Sequence, residues 1–362
     1  MTLQSRMQSI QLARLRSSIL LKPVLCIFSL IFGLLIRSRN ALFDWQIFKS
    51  RAFDIPVISV GNLSSGGSGK TPFTMELINL LSQKYKRIAV ISRGYKRKSR
   101  GVQLVSDGLG RVAGAATGGD EPVLIAKRFP GCLVLVAEKR SLAIQRACEQ
   151  YQADLVILDD AFQHRWVKRN VDIVLLSKSD LTPRCRLLPA GDLREPLTAL
   201  KRAHMIIMVN RKQNDIQNDL RIIRPYYHGE IEYYRLQATG LVDVTLTPAG
   251  DLRQLHGLPV VAFAGIANPD SFKRLILQAD IVLRRFFIFP DHHFYSDTDI
   301  ARITSSAAEE QCTCLLTTEK DMVKLAADRF DGLHLLAMRI RLILESPQQL
   351  QQKLYDLVDK TI

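Results

Sequence analysis

The chain has no cysteines spaced as Cys-x-x-Cys, which excludes the common zinc ribbons and thioredoxin-type redox motifs. Its six cysteines stand singly at Cys26, Cys132, Cys148, Cys185, Cys312 and Cys314. They read as reduced, mostly buried thiols of a cytoplasmic protein, not as a disulfide framework. Aromatic residues are scarce, at 7%, and neither a zinc knuckle nor an RNA-binding signature is present. The excess of 50 basic over 35 acidic residues, a net charge of +15, therefore suits an anionic membrane surface or a phosphorylated substrate better than nucleic acid. Internal repeats and low-complexity tracts are also lacking.

The amino-terminal segment lacks acidic residues through position 18 and carries Arg6, Arg14 and Arg16. An apolar run, Pro23 to Ile36, follows and is closed by Arg37 and Arg39. It is shorter than the roughly 20 residues that cross a hydrocarbon core. No small-x-small cleavage site follows it, which argues against a signal peptide. Basic flanks on both sides suit a helix lying in, or dipping into, a membrane surface; a buried core helix and a single span are the alternatives.

What the chain does have is a glycine-rich loop between a strand and a helix. The apolar run Val57–Val60 enters Gly61-Asn62-Leu63-Ser64-Ser65-Gly66-Gly67-Ser68-Gly69-Lys70-Thr71-Pro72. In a phosphate-binding loop the backbone N–H groups cradle phosphate oxygens, the lysine reaches the β- and γ-phosphates and the threonine hydroxyl binds Mg²⁺. Ser64 stands where the strict pattern has its first glycine. Residues Ser64 to Thr71 are the nucleotide-binding candidates.

Further apolar runs without alternation occur at 87–92, 133–136, 155–158, 171–176 and 205–209, separated by helical stretches such as 74–81 and 141–151. This is the pattern of a parallel sheet covered on both faces, with ligands at the carboxyl ends of its strands. A second α/β unit begins at Pro259–Gly265, with a helix at 270–278, a strand at 314–318 and a helix at 321–327. The expected layout is a membrane-associated amino-terminal helix (1–45), a phosphate-loop lobe (46–228), a hinge strand or linker (229–249) and a smaller α/β lobe (250–332). A return strand and a carboxy-terminal helix (333–362) complete it. The strand at 334–344 is expected to pair with that at 230–240, and the last helix to lie back on the first lobe.

Three clusters carry candidate chemistry. Leu155–Leu158 ends in Asp159-Asp160, which reads as a Mg²⁺-holding strand end or as a turn. Gly119-Asp120-Glu121-Pro122 reads as a helix cap or as a carboxylate pair. Pro290-Asp291-His292-His293 reads as a surface turn or as a histidine proton acceptor oriented by a carboxylate. Basic runs stand at 93–100, 165–169 and 184–194, and Arg93 and Arg165 each follow a strand end.

As an ordered set these motifs resemble the tetraacyldisaccharide 4′-kinase family, the lipid A 4′-kinases of Gram-negative bacteria. The resemblance rests on the loop above, Ser92-Arg93-Gly94-Tyr95, Gly119-Asp120-Glu121-Pro122 and Asp159-Asp160-Ala161-Phe162-Gln163-His164-Arg165. It continues through Leu187-Leu188-Pro189-Ala190-Gly191-Asp192-Leu193-Arg194-Glu195-Pro196, Phe289-Pro290-Asp291-His292 and Thr317-Thr318-Glu319-Lys320-Asp321. Ala161 and Asp192 depart from the family's glycine and proline; neither removes a group needed for catalysis.

The resemblance implies ATP and Mg²⁺ as cofactors and transfer of the γ-phosphate to the 4′-hydroxyl of a tetraacylated disaccharide 1-phosphate, at the cytoplasmic face of the inner membrane. It implies a dyad of Asp120 and His292 as proton acceptor and Lys70 as charge stabiliser. Thr71 and Asp159 would hold the metal, with Asp160 and Glu121 in support. Arg93, Tyr95 and Arg194 are substrate candidates. With Asp120 and His292 assigned to different lobes, the dyad is expected to form only on closure. A monomer is expected, with no nucleic-acid partner. The rival reading is a membrane-docked NTPase switch that phosphorylates no lipid.

Overall fold

The computed structural model describes residues 21–360 except 66, 68, 183–185, 210–212 and 331. Arg6, Arg14, Arg16, Gly66, Ser68, Arg184 and Cys185 thus lie outside the described residues. Seven strands precede residue 210: β1 (Val57–Asn62), β2 (Ile88–Ser92), β3 (Gln103–Asp107), β4 (Leu133–Val136), β5 (Leu155–Leu158), β6 (Val171–Leu176) and β7 (Met205–Val209). Six follow: β8 (Ile231–Val242), β9 (Pro248–Gly250), β10 (Pro259–Ala264), β11 (Val282–Ile288), β12 (Cys314–Thr318) and β13 (His334–Leu344).

The chain divides into two compact units. Among the described residues, the larger holds 21–93, 135–235 and 342–360; the smaller holds 94–134 and 236–341. This corrects the contiguous boundaries expected from sequence. Residues 94–134 belong with 236–341, not with the phosphate-loop lobe. The segment carries its own buried positions, and the helix Asp120–Arg128 turns Pro122 to Ala126 inward.

In the larger unit β1 is central and pairs in parallel with β5 and β6, β5 pairs with β2, and β6 with β7. Every residue of β1, β2, β5 and β6 is buried. This explains their unbroken apolar sequence, since a strand covered on both faces has no solvent side to make polar. Each such Val, Ile or Leu contributes about 1.5–3 kcal/mol of burial. The last helix, Pro347–Asp359, packs back on this unit: Gln351 bonds the Leu80 carbonyl, and Lys84 pairs with Asp359 at 2.6 Å.

The amino-terminal helix spans Lys22–Asp44, longer than the apolar run suggested, and is long and apolar enough to cross a membrane by length and composition. One face is docked. Ser29 Oγ donates to the Leu187 carbonyl (2.8 Å), and a Cβ on Gly33 would come within 2.9 Å of Leu187. Arg39 pairs with Glu195 (2.6 Å), and Phe43 packs edge-on against Trp166. The other face exposes Val24, Ile27, Phe28, Ile31, Leu34 and Leu35.

In the smaller unit β10 pairs in parallel with β11 and β12, and β12 with β13. Phe272, Ile276, Leu316 and Met338 lie in its core. Within this unit Thr239 of β8 donates to the Arg339 carbonyl of β13, and within the larger unit Glu345 N–H donates to the Tyr233 carbonyl. The pairing expected of 230–240 with 334–344 is thus present. The helix expected at 321–327 is only Glu319–Met322, because Val323 to Leu325 turn back on it.

Candidate active site

The loop after β1 is shaped by close approaches that only glycine permits. A Cβ on Gly61 would lie 2.7 Å from the Phe162 nitrogen. Gly69 has φ +78°, in the left-handed region, and a Cβ there would meet the Tyr234 hydroxyl at 2.9 Å. Lys70 opens the helix Lys70–Leu81, and Thr71 is buried in its first turn. The sequence expectation began that helix at residue 74, so it left the loop lysine and threonine outside. Ser64 pairs in a bridge with Leu193, and Ser65 N–H donates to the Asp192 carbonyl at 2.9 Å. The Leu193-Arg194-Glu195 segment therefore lies along the loop.

β5 delivers Asp159 and Asp160 to the same place. Asp159 is buried, and its Oδ1 accepts from the Thr74 hydroxyl at 3.0 Å, one turn beyond Thr71. Asp160 adopts φ +49°. Its carboxylate accepts from Arg194 at 3.1 Å and stands 3.5 Å from the Lys70 ammonium. Burial alone would raise the Asp160 pKa, but Lys70 and Arg194 pull it below the usual carboxylate range. Thr71 and Asp159 offer hard oxygen donors, the chemistry that Mg²⁺ takes together with phosphate oxygens. Asp160 is the counter-ion of Lys70 and Arg194.

Two further groups of this site escaped the sequence reading. Arg140 begins the helix after β4, is 6% exposed, and has an Nε without a hydrogen-bond partner among the described residues. Burial and the neighbouring Arg93 lower its pKa to about 10. His164 sits among Arg140, Arg169, Arg93 and Arg39; burial and their charges push it down to about 4, so its imidazole is neutral. In sequence Arg140 had no assigned role, and His164 figured only within the motif at 159–165. Arg93 itself is exposed at the end of β2.

The smaller unit holds the other half of the predicted chemistry. Asp120 opens its helix after Gly119, which has φ +86° and where a Cβ would crowd the Gly94 backbone at 3.3 Å. Asp120 Oδ1 accepts from Glu121 N–H at 2.9 Å and lies 2.7 Å from His292 Nδ1. The cap of this helix is Gly119, with no side-chain cap bond, so Asp120 is its first residue and not its cap; the Asp120 carboxylate meets His292 instead. Both residues are buried, and both belong to this one unit, so the contact exists without any approach of separate lobes; that corrects the closure expectation. His292 adopts φ +62°, the strained backbone that collects at functional positions. Burial would raise the Asp120 pKa, but the hydrogen bond with His292 and the charges of Lys320 and Lys324 pull it to about 2.

His293 is committed elsewhere: its Nε2 lies 2.9 Å from Asp299, and its ring stacks on Phe289. His292 is thus the histidine that meets Asp120. The Tyr95 ring is 5.0 Å from that of His292. Glu121 is held by Lys320 at 2.8 Å, so the structure gives it a cation as partner.

The family model described as tetraacyldisaccharide-1-P 4′-kinase matches residues 21–359. The chain belongs to that family. It is 37% identical over 316 residues to the tetraacyldisaccharide 4′-kinase of Syntrophus aciditrophicus, covering 83% of each chain. It is 35% identical over 336 residues to that of Aquifex aeolicus, covering 93% of this chain and 99% of the relative. The crystal structure of LpxK from Aquifex aeolicus in complex with ATP aligns over 95% of this chain and 99% of that one, with TM-score 0.75 and 34% identity. The α/β phosphate-loop fold is shared, and the kinase activity expected from the motifs is that of the family.

Proposed function

We propose that this lipid kinase moves the γ-phosphate of ATP to the 4′-hydroxyl of a tetraacyldisaccharide 1-phosphate by the following division of labour. The observation that carries it is the buried 2.7 Å contact of Asp120 with His292 within the smaller unit; the larger unit separately supplies the loop lysine and threonine. Loop amides from Ser64 to Thr71 bind the phosphates, and Lys70 offsets charge on the transferring group. Thr71 and Asp159 hold Mg²⁺, which when bound neutralises phosphate charge. Asp160 orients Lys70 and Arg194, and Arg140 supplies a second buried cation. His292, oriented by Asp120, takes the hydroxyl proton. Arg93, Tyr95 and Arg194 are the candidates for contacts with the anionic sugar.

The reading extends to the membrane. A helix docked along one face through Ser29, Gly33, Arg39 and Phe43 has only its other face to offer lipid. That supports a helix lying in the interface, not a span. In this reading a monomer sits on the cytoplasmic leaflet and faces a lipid substrate.

The test is phosphate transfer from γ-labelled ATP to tetraacyldisaccharide 1-phosphate in detergent. Labelled lipid is expected, and its loss in Asp120→Ala. Free phosphate released equally by both proteins, with no labelled lipid, would favour the NTPase-switch reading instead.

A further inference from the structure

The motif Thr317-Thr318-Glu319-Lys320-Asp321 has no role in the chemistry above, yet each of its side chains is committed. Thr317 donates to the Phe263 carbonyl at 2.8 Å. Thr318 caps the short helix Glu319–Met322. Glu319 accepts from Arg128 at 2.7 and 2.9 Å and from Arg339 at 3.1 Å. Arg128 ends the helix that Asp120 begins, so this pair fixes one helix against the other. Asp321 accepts from Gly265 N–H at 2.9 Å, and the Gly265 carbonyl accepts from His292 N–H at 3.1 Å. Two bonds thus tie the motif to the strained backbone of His292. Lys324 is fully buried, 2.8 Å from Asp321 and 3.6 Å from Asp120 Oδ2.

Lys320 is the member aimed at the chemistry. Its ammonium, 16% exposed, meets Glu121 Oε1 at 2.8 Å, Asp291 Oδ1 at 2.9 Å and His292 Nε2 at 3.4 Å. An ammonium has three protons and no lone pair, and here it has three acceptors. Its contact with Nε2 is favourable only if Nε2 carries the lone pair. The ring proton then sits on Nδ1, where it is donated to Asp120 Oδ1. Asp291 Oδ2 at 3.5 Å from Nε2 would favour the opposite tautomer, but Asp291 is already engaged through its other oxygen by Lys320.

We infer that Lys320 is a positioning residue of the phosphate-transfer reaction: it sets the His292 tautomer, proton on Nδ1 and lone pair on Nε2, and engages Glu121 and Asp291 beside that lone pair. This rests on the assignment of His292 as proton acceptor. Nε2 is then the atom that receives the hydroxyl proton, and it is prepared before substrate arrives. Without Lys320, Glu121 and Asp291 lose their shared cation, and Nε2 gains a proton to donate to Asp291.

The test uses the full-length wild type labelled with ¹⁵N-histidine, with His292→Ala to assign the signal. Wild type is expected to show a pyrrole-type Nδ1 and a pyridine-type Nε2; a protonated Nε2 overturns the inference whatever any variant does. Lys320→Met is expected to move the proton towards Nε2 and to lower kcat by about 10–100-fold, with the KM for ATP within about twofold. An unchanged kcat, or a fall in kcat matched by a rise in KM for ATP, overturns it. His292→Ala at full activity would overturn the base assignment, and this inference with it, whereas a wrong tautomer in wild type removes the inference alone.

Discussion

The two compact units build their functional groups by opposite means. In the larger unit the groups come from contiguous sequence at strand ends: one loop from Gly61 to Thr71 and one dipeptide, Asp159-Asp160, on neighbouring parallel strands. In the smaller unit one histidine is served by segments near residues 95, 120, 265, 291 and 320. The first site inherits its geometry from a sheet buried on both faces. The second depends on a network of ion pairs in which each charge is spoken for. Local motifs locate a site of the first kind by themselves; for the second, the family resemblance paired Asp120 with His292, and the folded chain adds the contacts of Gly265, Asp291 and Lys320 around them.

The largest effects should come from removing the reacting groups. Asp120→Ala and Lys70→Ala are each expected to lower kcat by about 10²–10³-fold. ATP binding followed by calorimetry should survive in the first and weaken in the second. A Lys70→Ala variant with unchanged ATP affinity would break the division between the units.

Stability offers a second contrast. Glu195 is fully buried between Arg39 and Arg202, each at 2.6 Å. Glu195→Gln should destabilise the larger unit by about 3 kcal/mol, the low end for a broken buried pair because Arg39 keeps some solvent. A lowered thermal midpoint checks this, and loss of vesicle binding in the same variant would show that the amino-terminal helix had left its dock.

Acid should loosen the two units in different windows. His164 has its folded pKa depressed to about 4, so the unfolded chain binds the proton first. Stability is therefore lost as pH falls from about 6.5 towards 4, by about 2 kcal/mol after allowing for partial exposure. Asp120, depressed to about 2, holds its contribution above pH ~4 and loses about 2 kcal/mol between pH ~4 and ~2. Denaturation at stepped pH should lose the upper window in His164→Asn and the lower one in Asp120→Asn. Loss of the same window in both would show that the units do not titrate separately. The smallest effect expected is that of Thr74→Val, which removes the Thr74 hydrogen bond to Asp159 Oδ1: the Mg²⁺ needed for half-maximal rate should rise about tenfold.

Much of this was legible in the sequence where burial is uniform. The strands at 133–136, 155–158, 171–176, 205–209 and 314–318 end where their apolar runs end. A side chain without a solvent face leaves a run that reads directly. The helix expected at 321–327 stops at Met322, and the Lys324 side chain beyond it turns inward to pair with Asp321. β3 escaped because it is only half buried, so its pattern carries little signal. The domain boundary failed for a different reason: a unit assembled from 94–134 and 236–341 leaves no composition shift at its edges. The expectation of closure before dyad formation followed from that wrong boundary, although the two dyad residues were identified correctly as partners.

The central claim is that Asp120 and His292 act as one preassembled device. A double-mutant cycle on phosphate transfer to the lipid tests it most directly, comparing Asp120→Ala, His292→Ala and the pair, with ATP affinity measured in each. The account predicts that the double variant loses little more than the worse single variant, as groups acting as a unit do. Losses that multiply, with each single variant retaining the other's full contribution, would contradict it.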